Sequence, residues 1–224
     1  GLINGVLRPY IQQANPLCSN QLDTNESEGN SVNAIGFAEV RFLKDFKFTS
    51  TNSVSSEETR STITTNPWFG QYASQNGAIT VEHDRTWSYN YQQLLTWHHQ
   101  FDLHEVDAML GHEYYRRRNY VLYGDKTNMY TFPSNDMASA VNTGSTNSYR
   151  NDYNTEGWFG RVQYNYDQKY FASMSYRRDA SSRFAPENRW GNFWSFGGAW
   201  MISKEEFFNV SWLDELKIKA SYGE

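Results

Sequence analysis

A single cysteine, Cys18, cannot close a disulfide within these 224 residues, and no nucleophile motif surrounds it. Basic residues are in deficit: 20 Lys and Arg against 25 Asp and Glu leave a net charge of −5, without the broad positive field that holds nucleic acid. No run of about 18 apolar residues occurs, which excludes a transmembrane helix but not a membrane crossing by short, half-apolar strands. Aliphatics are also scarce. Only 38% of residues are hydrophobic and mean hydropathy is −0.78, so an ordinary Leu/Val core is not encoded. Helical periodicity is nearly missing, with one short turn expected around Lys204–Phe208. The chain opens Gly-Leu-Ile-Asn-Gly with no basic start, so it reads as processed or as an internal piece of a longer chain.

What is abundant is aromatic. The chain carries 16 Tyr, 14 Phe and 8 Trp, which argues against disorder. From Gly157 to Met201 these rings alternate with polar residues at a period of two, the spacing that sends side chains to opposite faces of a strand. Trp158, Gly160, Val162, Tyr164 and Tyr166 share one face, and Arg161, Gln163 and Asn165 share the other. Tyr170, Ala172, Met174 and Tyr176 repeat the pattern against Ser173, Ser175, Arg177 and Asp179, and Leu216, Ile218, Ala220 and Tyr222 repeat it against Lys217 and Lys219. Lysines facing a dry core would be very costly, whereas facing a wet lumen they cost little. An apolar outside around a wet interior is the pattern of a transmembrane β-barrel.

Eight strands are expected, near 32–42, 45–56, 79–101, 104–120, 155–166, 169–181, 191–203 and 215–223. Leu43-Lys44-Asp45, Asp102-Leu103 and Asp167-Gln168-Lys169 read as tight hairpin turns. They alternate with Ser/Thr/Asn/Gly-rich links near 57–78 and 121–154 and a shorter one at 182–190. An up-and-down antiparallel sheet then has its tight turns at one end and long loops at the other, as transmembrane barrels do. Residues 1–30 are expected to be an extracellular loop segment, and 31–224 a partial barrel. The link 204–214 is longer than the other connections at the tight-turn end. An interfacial girdle is expected where Tyr164, Tyr166 and Tyr170 cluster beside a turn.

Specific stretches narrow this reading. Gly160-Arg161-Val162-Gln163-Tyr164-Asn165-Tyr166, Lys169-Tyr170-Phe171 and Arg177-Arg178-Asp179-Ala180-Ser181-Ser182-Arg183-Phe184 resemble the SusC/RagA family of TonB-dependent outer-membrane transporters. Asn188-Arg189-Trp190-Gly191, Phe193-Trp194-Ser195, Ala199-Trp200 through Phe207 and the closing Leu216 to Glu224 do so too, as do Leu94-Leu95-Thr96-Trp97 and Leu110-Gly111-His112-Glu113. The resemblance covers about 89–118 and 154–224 well, with Ala180 where the family usually has Gly. It implies a fragment from the C-terminal part of a barrel of about 22 strands, lacking the plug and the TonB-contacting segment. It also implies residence in the bacterial outer membrane, energy from the TonB complex, a SusD-like surface lipoprotein partner, and import of oligosaccharides or peptides. Two rival readings are a complete eight-stranded barrel with a structural or adhesive role, and a soluble carbohydrate-binding β-sandwich.

Candidate site residues each carry a plainer alternative. Arg177, Arg178 and Arg183 either hold an anionic ligand or pair with Asp179 and other carboxylates. Arg161, Arg177, Asp179, Arg183, Lys217 and Lys219 are expected as lumen or rim charges. Arg116, Arg117 and Arg118 near the outer leaflet either meet lipopolysaccharide phosphates or are simply solvated. Trp68, Phe69, Tyr72, Tyr123, Tyr130, Phe132 and Tyr149 in the long links either stack on sugar or peptide ligands or pack the loops. His98 and His99 point to opposite faces, and His104 and His112 lie too far apart on one strand, so no metal centre is expected. Asp23–Gly29 resembles a calcium loop but has Glu28 where an EF-hand needs Gly. No cofactor is expected beyond that weak loop cation, and with no catalytic constellation on one face, no enzyme activity.

Overall fold

The computed structural model describes the backbone of residues 2–3, 6–7 and 16–224, with side chains from Ser19 onward. Cys18's side chain and the stretch around Asn15 lie outside the described residues. A short pair, β1 (Leu2–Ile3) and β2 (Val6–Leu7), is followed by helix α1 (Pro16–Leu22), which no periodicity announced. Eight long strands follow: β3 (Thr24–Phe42), β4 (Phe46–Thr65), β5 (Ala78–Phe101), β6 (His104–Met129), β7 (Ala140–Tyr166), β8 (Tyr170–Ser181), β9 (Trp190–Met201) and β10 (Lys217–Gly223).

All eight join one antiparallel sheet in chain order, β3 to β10, with β3 and β10 at its edges. A complete eight-stranded barrel would pair those two strands, and a sandwich would need a second sheet packed on this one. Neither arrangement occurs among the described residues.

Strand number and tight turns match expectation, while the strands reach further than the hydrophobic alternation suggests. β4, β5, β6 and β7 run on into the Ser/Thr/Asn-rich links, leaving connections of only 66–77 and 130–139. β3 takes in Thr24–Asn30 from the expected opening loop. Alternation detects only strands with one apolar face, and most of these extensions are polar on both; the β6 extension, with Val121 and Met129 buried, is the exception. Thr24 pairs its hydroxyl with Thr64, and Asp23 Oδ1 accepts from the Asn66 backbone N–H and side-chain amide at 2.9 and 2.7 Å. Thr24–Gly29, expected as a loop, is extended, so its side chains alternate between faces.

The turns need residues at positive φ. Leu43 and Lys44 lie at 49° and 65°, Asp102 at 52°, and Asp167 and Gln168 at 52° and 53°. Asp167–Gln168 closes with the Lys169 N–H donating to the Tyr166 carbonyl at 2.9 Å, and two successive positive φ values match the right-handed twist of the flanking strands. The expected turn near Lys204–Phe208 is present as a 3₁₀ segment, Ile202–Lys204, and a turn closed by Phe208 N–H on the Glu205 carbonyl.

The chain divides into two compact units, one made of 1–32, 55–87 and 118–151, the other of 33–54, 88–117 and 152–224. The first holds a small core of Ile79, Met129 and Ala140, flanked by Val81, Phe132 and Met137. The second contains all three tight turns and the aromatic strands.

Candidate functional site

Register in the second unit aligns the faces of β7 to β10. Ile218, Trp200, Tyr170 and Tyr166 form one row; Ala220, Gly198, Ala172 and Tyr164 the next; Tyr222, Phe196, Met174 and Val162 a third. Far from being buried, this apolar face is open: Met174 is 49% exposed, Val162 48% and Ile218 57%. A surface so large and apolar needs an apolar environment to cover it.

At the tight-turn end the rings form a continuous ribbon. Phe42 stacks on Phe46 (5.5 Å), Trp97 on His99 (5.8 Å), Phe101 on His104 (4.8 Å) and Tyr170 on Trp200 (6.4 Å). Phe46–Trp97, His99–Phe101, His104–Tyr166 and Tyr166–Tyr170 complete it, and Phe207 caps it against Trp200. Such pairs contribute roughly 0.5–1.5 kcal/mol each beyond their burial. The expected girdle of Tyr164, Tyr166 and Tyr170 is one stretch of this ribbon. Past it, the 204–214 link is tied down where Glu205 accepts from the Tyr170 hydroxyl and from the Trp200 indole N–H at 2.9 Å. Those two donors hold the Glu205 carboxyl below the usual carboxylate range, while a hydrogen bond to Asp167 raises Lys169 in the neighbouring turn.

The opposite face of the second unit is polar. Arg177 donates from Nε to both Asp179 oxygens (2.8 and 2.7 Å) and from a terminal nitrogen to Glu113 (3.0 Å), with its guanidinium over the Phe159 ring at 5.2 Å. Gly157 leaves the space that Asp179 and Arg177 fill. This is the pairing alternative for Arg177. Arg178 turns to the other face over Trp190 (4.8 Å), and Arg183 lies over Tyr153 (4.9 Å), so the three arginines do not converge on one anion. A concavity of about 540 Å³ opens beside Arg177, lined by Tyr115, Phe184, Arg189 and Phe193 among others. A second, of about 510 Å³, is lined by Glu105, Gln163, Lys217 and Lys219, with Lys217 over the Phe171 ring at 4.1 Å. Arg161 lines a third with Arg41, Lys47, His98 and Asp107.

Here the turn at Asp102-Leu103 brings His98 and Asp107 together across β5 and β6, Nδ1 to Oδ1 at 2.8 Å, with Glu105 on the same face. Their ligand atoms lie within 4.8 Å of one another. Judging each strand alone missed this group; counting back and forward from the turn pairs position 98 with 107. His99 faces the other way toward Asp45 (2.8 Å), as the alternation requires.

In the first unit, Trp68 packs edge-on to Phe132 at 5.3 Å while remaining 57% exposed. Asn66 sets this loop by accepting from the backbone N–H groups of Trp68 and Phe69 at 3.0 and 2.8 Å. Tyr130 is 70% exposed and donates to the Ala138 carbonyl; Tyr123 donates to Asp125; Tyr72 is half-buried; Tyr149 is exposed on β7. Trp68 and Phe132 thus touch within the loop, while Trp68, Tyr130 and Tyr149 remain exposed. Arg116 is half-buried and Arg117 and Arg118 are exposed; consecutive strand positions send them to alternate faces, so all three do not meet one phosphate.

No family model matches the chain. It is 30% identical over 218 residues to the TonB-dependent receptor SusC of Bacteroides thetaiotaomicron, covering 93% of this chain and 21% of that protein. It is 27% identical over 212 residues to TonB-dependent receptor P3 of Formosa agariphila, again covering 93% of this chain and 21% of the relative. The chain therefore spans about a fifth of the length of these relatives. Among solved structures it superposes on the RagAB peptide transporter with a TM-score of 0.82 at 24% identity, over 93% of this chain and 24% of that one. The RagAB peptide importer in its "open-open" state gives 0.82 over 93% and 23%. By sequence the chain is similar to a segment of TonB-dependent receptors such as SusC, and by fold it is an antiparallel all-β segment like that of the RagAB transporter.

Proposed function

We propose that this segment is part of an outer-membrane active transporter that takes in oligosaccharides or peptides, driven by the TonB complex and working with a SusD-like surface lipoprotein. The observation that carries the reading is the contrast between the two faces of the second unit. One is an exposed apolar field edged by a ribbon of rings; the other is a wet field of paired charges and concavities. A wall of this kind suits a bilayer outside and an aqueous path inside. Its chemistry is binding and passage, with Arg177 neutralised in place and rings exposed in the connections. The names of SusC and of the RagAB peptide transporter support the same class of activity.

The test is uptake by cells producing the full-length protein with and without TonB, and with and without a SusD-like lipoprotein, using labelled oligosaccharides and labelled peptides in parallel. Accumulation that needs both components supports the proposal. Accumulation of neither solute class, with the protein correctly in the outer membrane, removes it.

A further inference from the structure

We propose that His98, Glu105 and Asp107 form a binding site for a first-row divalent transition metal, with zinc as the natural occupant. The three side chains share the polar face of the β5–β6 hairpin, and their ligand atoms already lie within 4.8 Å of one another. Bonds of about 2.0–2.2 Å to one ion place ligand atoms roughly 3.5 Å apart. The difference, roughly 1 Å, is on the scale of side-chain rotation.

The donor set selects the metal. One imidazole nitrogen and two carboxylate oxygens suit zinc and its neighbours, whereas calcium and magnesium favour all-oxygen shells. Asp107 already meets His98 Nδ1 at 2.8 Å. Metal binding would release any proton held there and replace that contact with two bonds to the ion. Glu105 is held from behind: its Oε2 accepts from the Asn165 amide on β7 at 2.9 Å, leaving Oε1 for the ion. A supporting hydrogen bond of this kind orients a metal-ligating carboxylate.

The surroundings permit a cation. Of the three basic residues lining the same concavity, Arg41 and Lys47 are drawn to Glu39, at 2.9 and 3.8 Å, and Arg161 is the charge that a bound ion has to tolerate. The His98 and Asp107 side chains are 57% and 51% exposed, so an ion has access and keeps open positions for water or a further ligand. The site is independent of what the barrel transports.

The experiment uses full-length protein in detergent, stripped with chelator, then titrated with Zn²⁺ by calorimetry and with Co²⁺ by visible absorption. The wild type should show a saturable site that Ca²⁺ does not displace. His98→Gln and Asp107→Asn should each weaken it at least tenfold, and Asn165→Leu by about tenfold, while His112→Gln leaves it unchanged. Heat-modifiable gel mobility reports folding of each variant, and His98→Gln, altering an exposed side chain, decides alone if Asp107→Asn fails that check. Identical titrations of wild type and His98→Gln, or displacement of Co²⁺ by equimolar Ca²⁺, would overturn the proposal.

Discussion

The ring of Phe159 lies over Gly111, in the space that a Cβ on that residue would occupy. The glycine on β6 is what lets the ring lie flat, and the flat ring carries the Arg177 guanidinium at 5.2 Å. Gly111→Ala should force the ring to rotate and lose that contact, costing about 1–3 kcal/mol, as overpacking does. Urea unfolding in lipid vesicles measures it, and Phe159→Leu should relieve most of the penalty in the double variant.

The two faces predict opposite responses to charge. Arginine at Val162 or Met174, midway along the apolar field, should cost about 2–4 kcal/mol if that face meets hydrocarbon. Arginine at Gln163, one residue along on the polar face, should be nearly neutral. Equal effects at 162 and 163 would show that the apolar face is not against lipid.

Arg177 is 44% exposed, so its ion pairs with Asp179 and Glu113 stand in water. Arg177→Lys keeps the charge but loses the fork that reaches both carboxylates. Stability should fall by less than about 1 kcal/mol, while ligand-dependent protection of the neighbouring concavity from hydrogen exchange should change if solute passes there.

Glu205 supplies a pH dependence. Its folded carboxyl is depressed by the Tyr170 hydroxyl and the Trp200 indole, so its contribution is complete above the unfolded carboxyl range. That contribution is lost as pH falls through the lower, folded value. Proteolysis within 204–214 should therefore accelerate on acidification in the wild type, and Glu205→Gln should cleave at one rate across that range.

The open edges also have a measurable consequence. β3 and β10 each present a row of backbone donors and acceptors with no strand beyond them in the sheet among the described residues. The isolated 224-residue segment should associate through these edges, even in detergent. Sedimentation should report oligomers, and proline at an outward-directed N–H of β10 should reduce them.

Period-two alternation was enough to locate all eight strands, because wherever one face is apolar and the other wet the pattern in sequence is the pattern in space. It failed where both faces are polar: Thr24–Asn30, Ser55–Thr65 and Val141–Asn154 are strands held by backbone ladders that side chains do not advertise. Helix α1 was invisible because seven residues give too little periodicity. In the arginine run, the alternation places Arg177 and Arg178 on opposite faces, and the pairing of Arg177 with Asp179 that the sequence offered as one alternative is the arrangement seen. The His98–Glu105–Asp107 group was legible only by counting across the Asp102-Leu103 turn, a step the residue list alone does not prompt.

Strand order that follows chain order has a kinetic meaning. Each of β3 to β10 finds its partners in the strands immediately before and after it, so no pairing within the sheet waits for a distant part of the chain. Loop-closure entropy is then paid in small instalments, one hairpin at a time. Nucleation at the tight Tyr166–Tyr170 hairpin can spread both ways, leaving the two edges as the last surfaces to find neighbours.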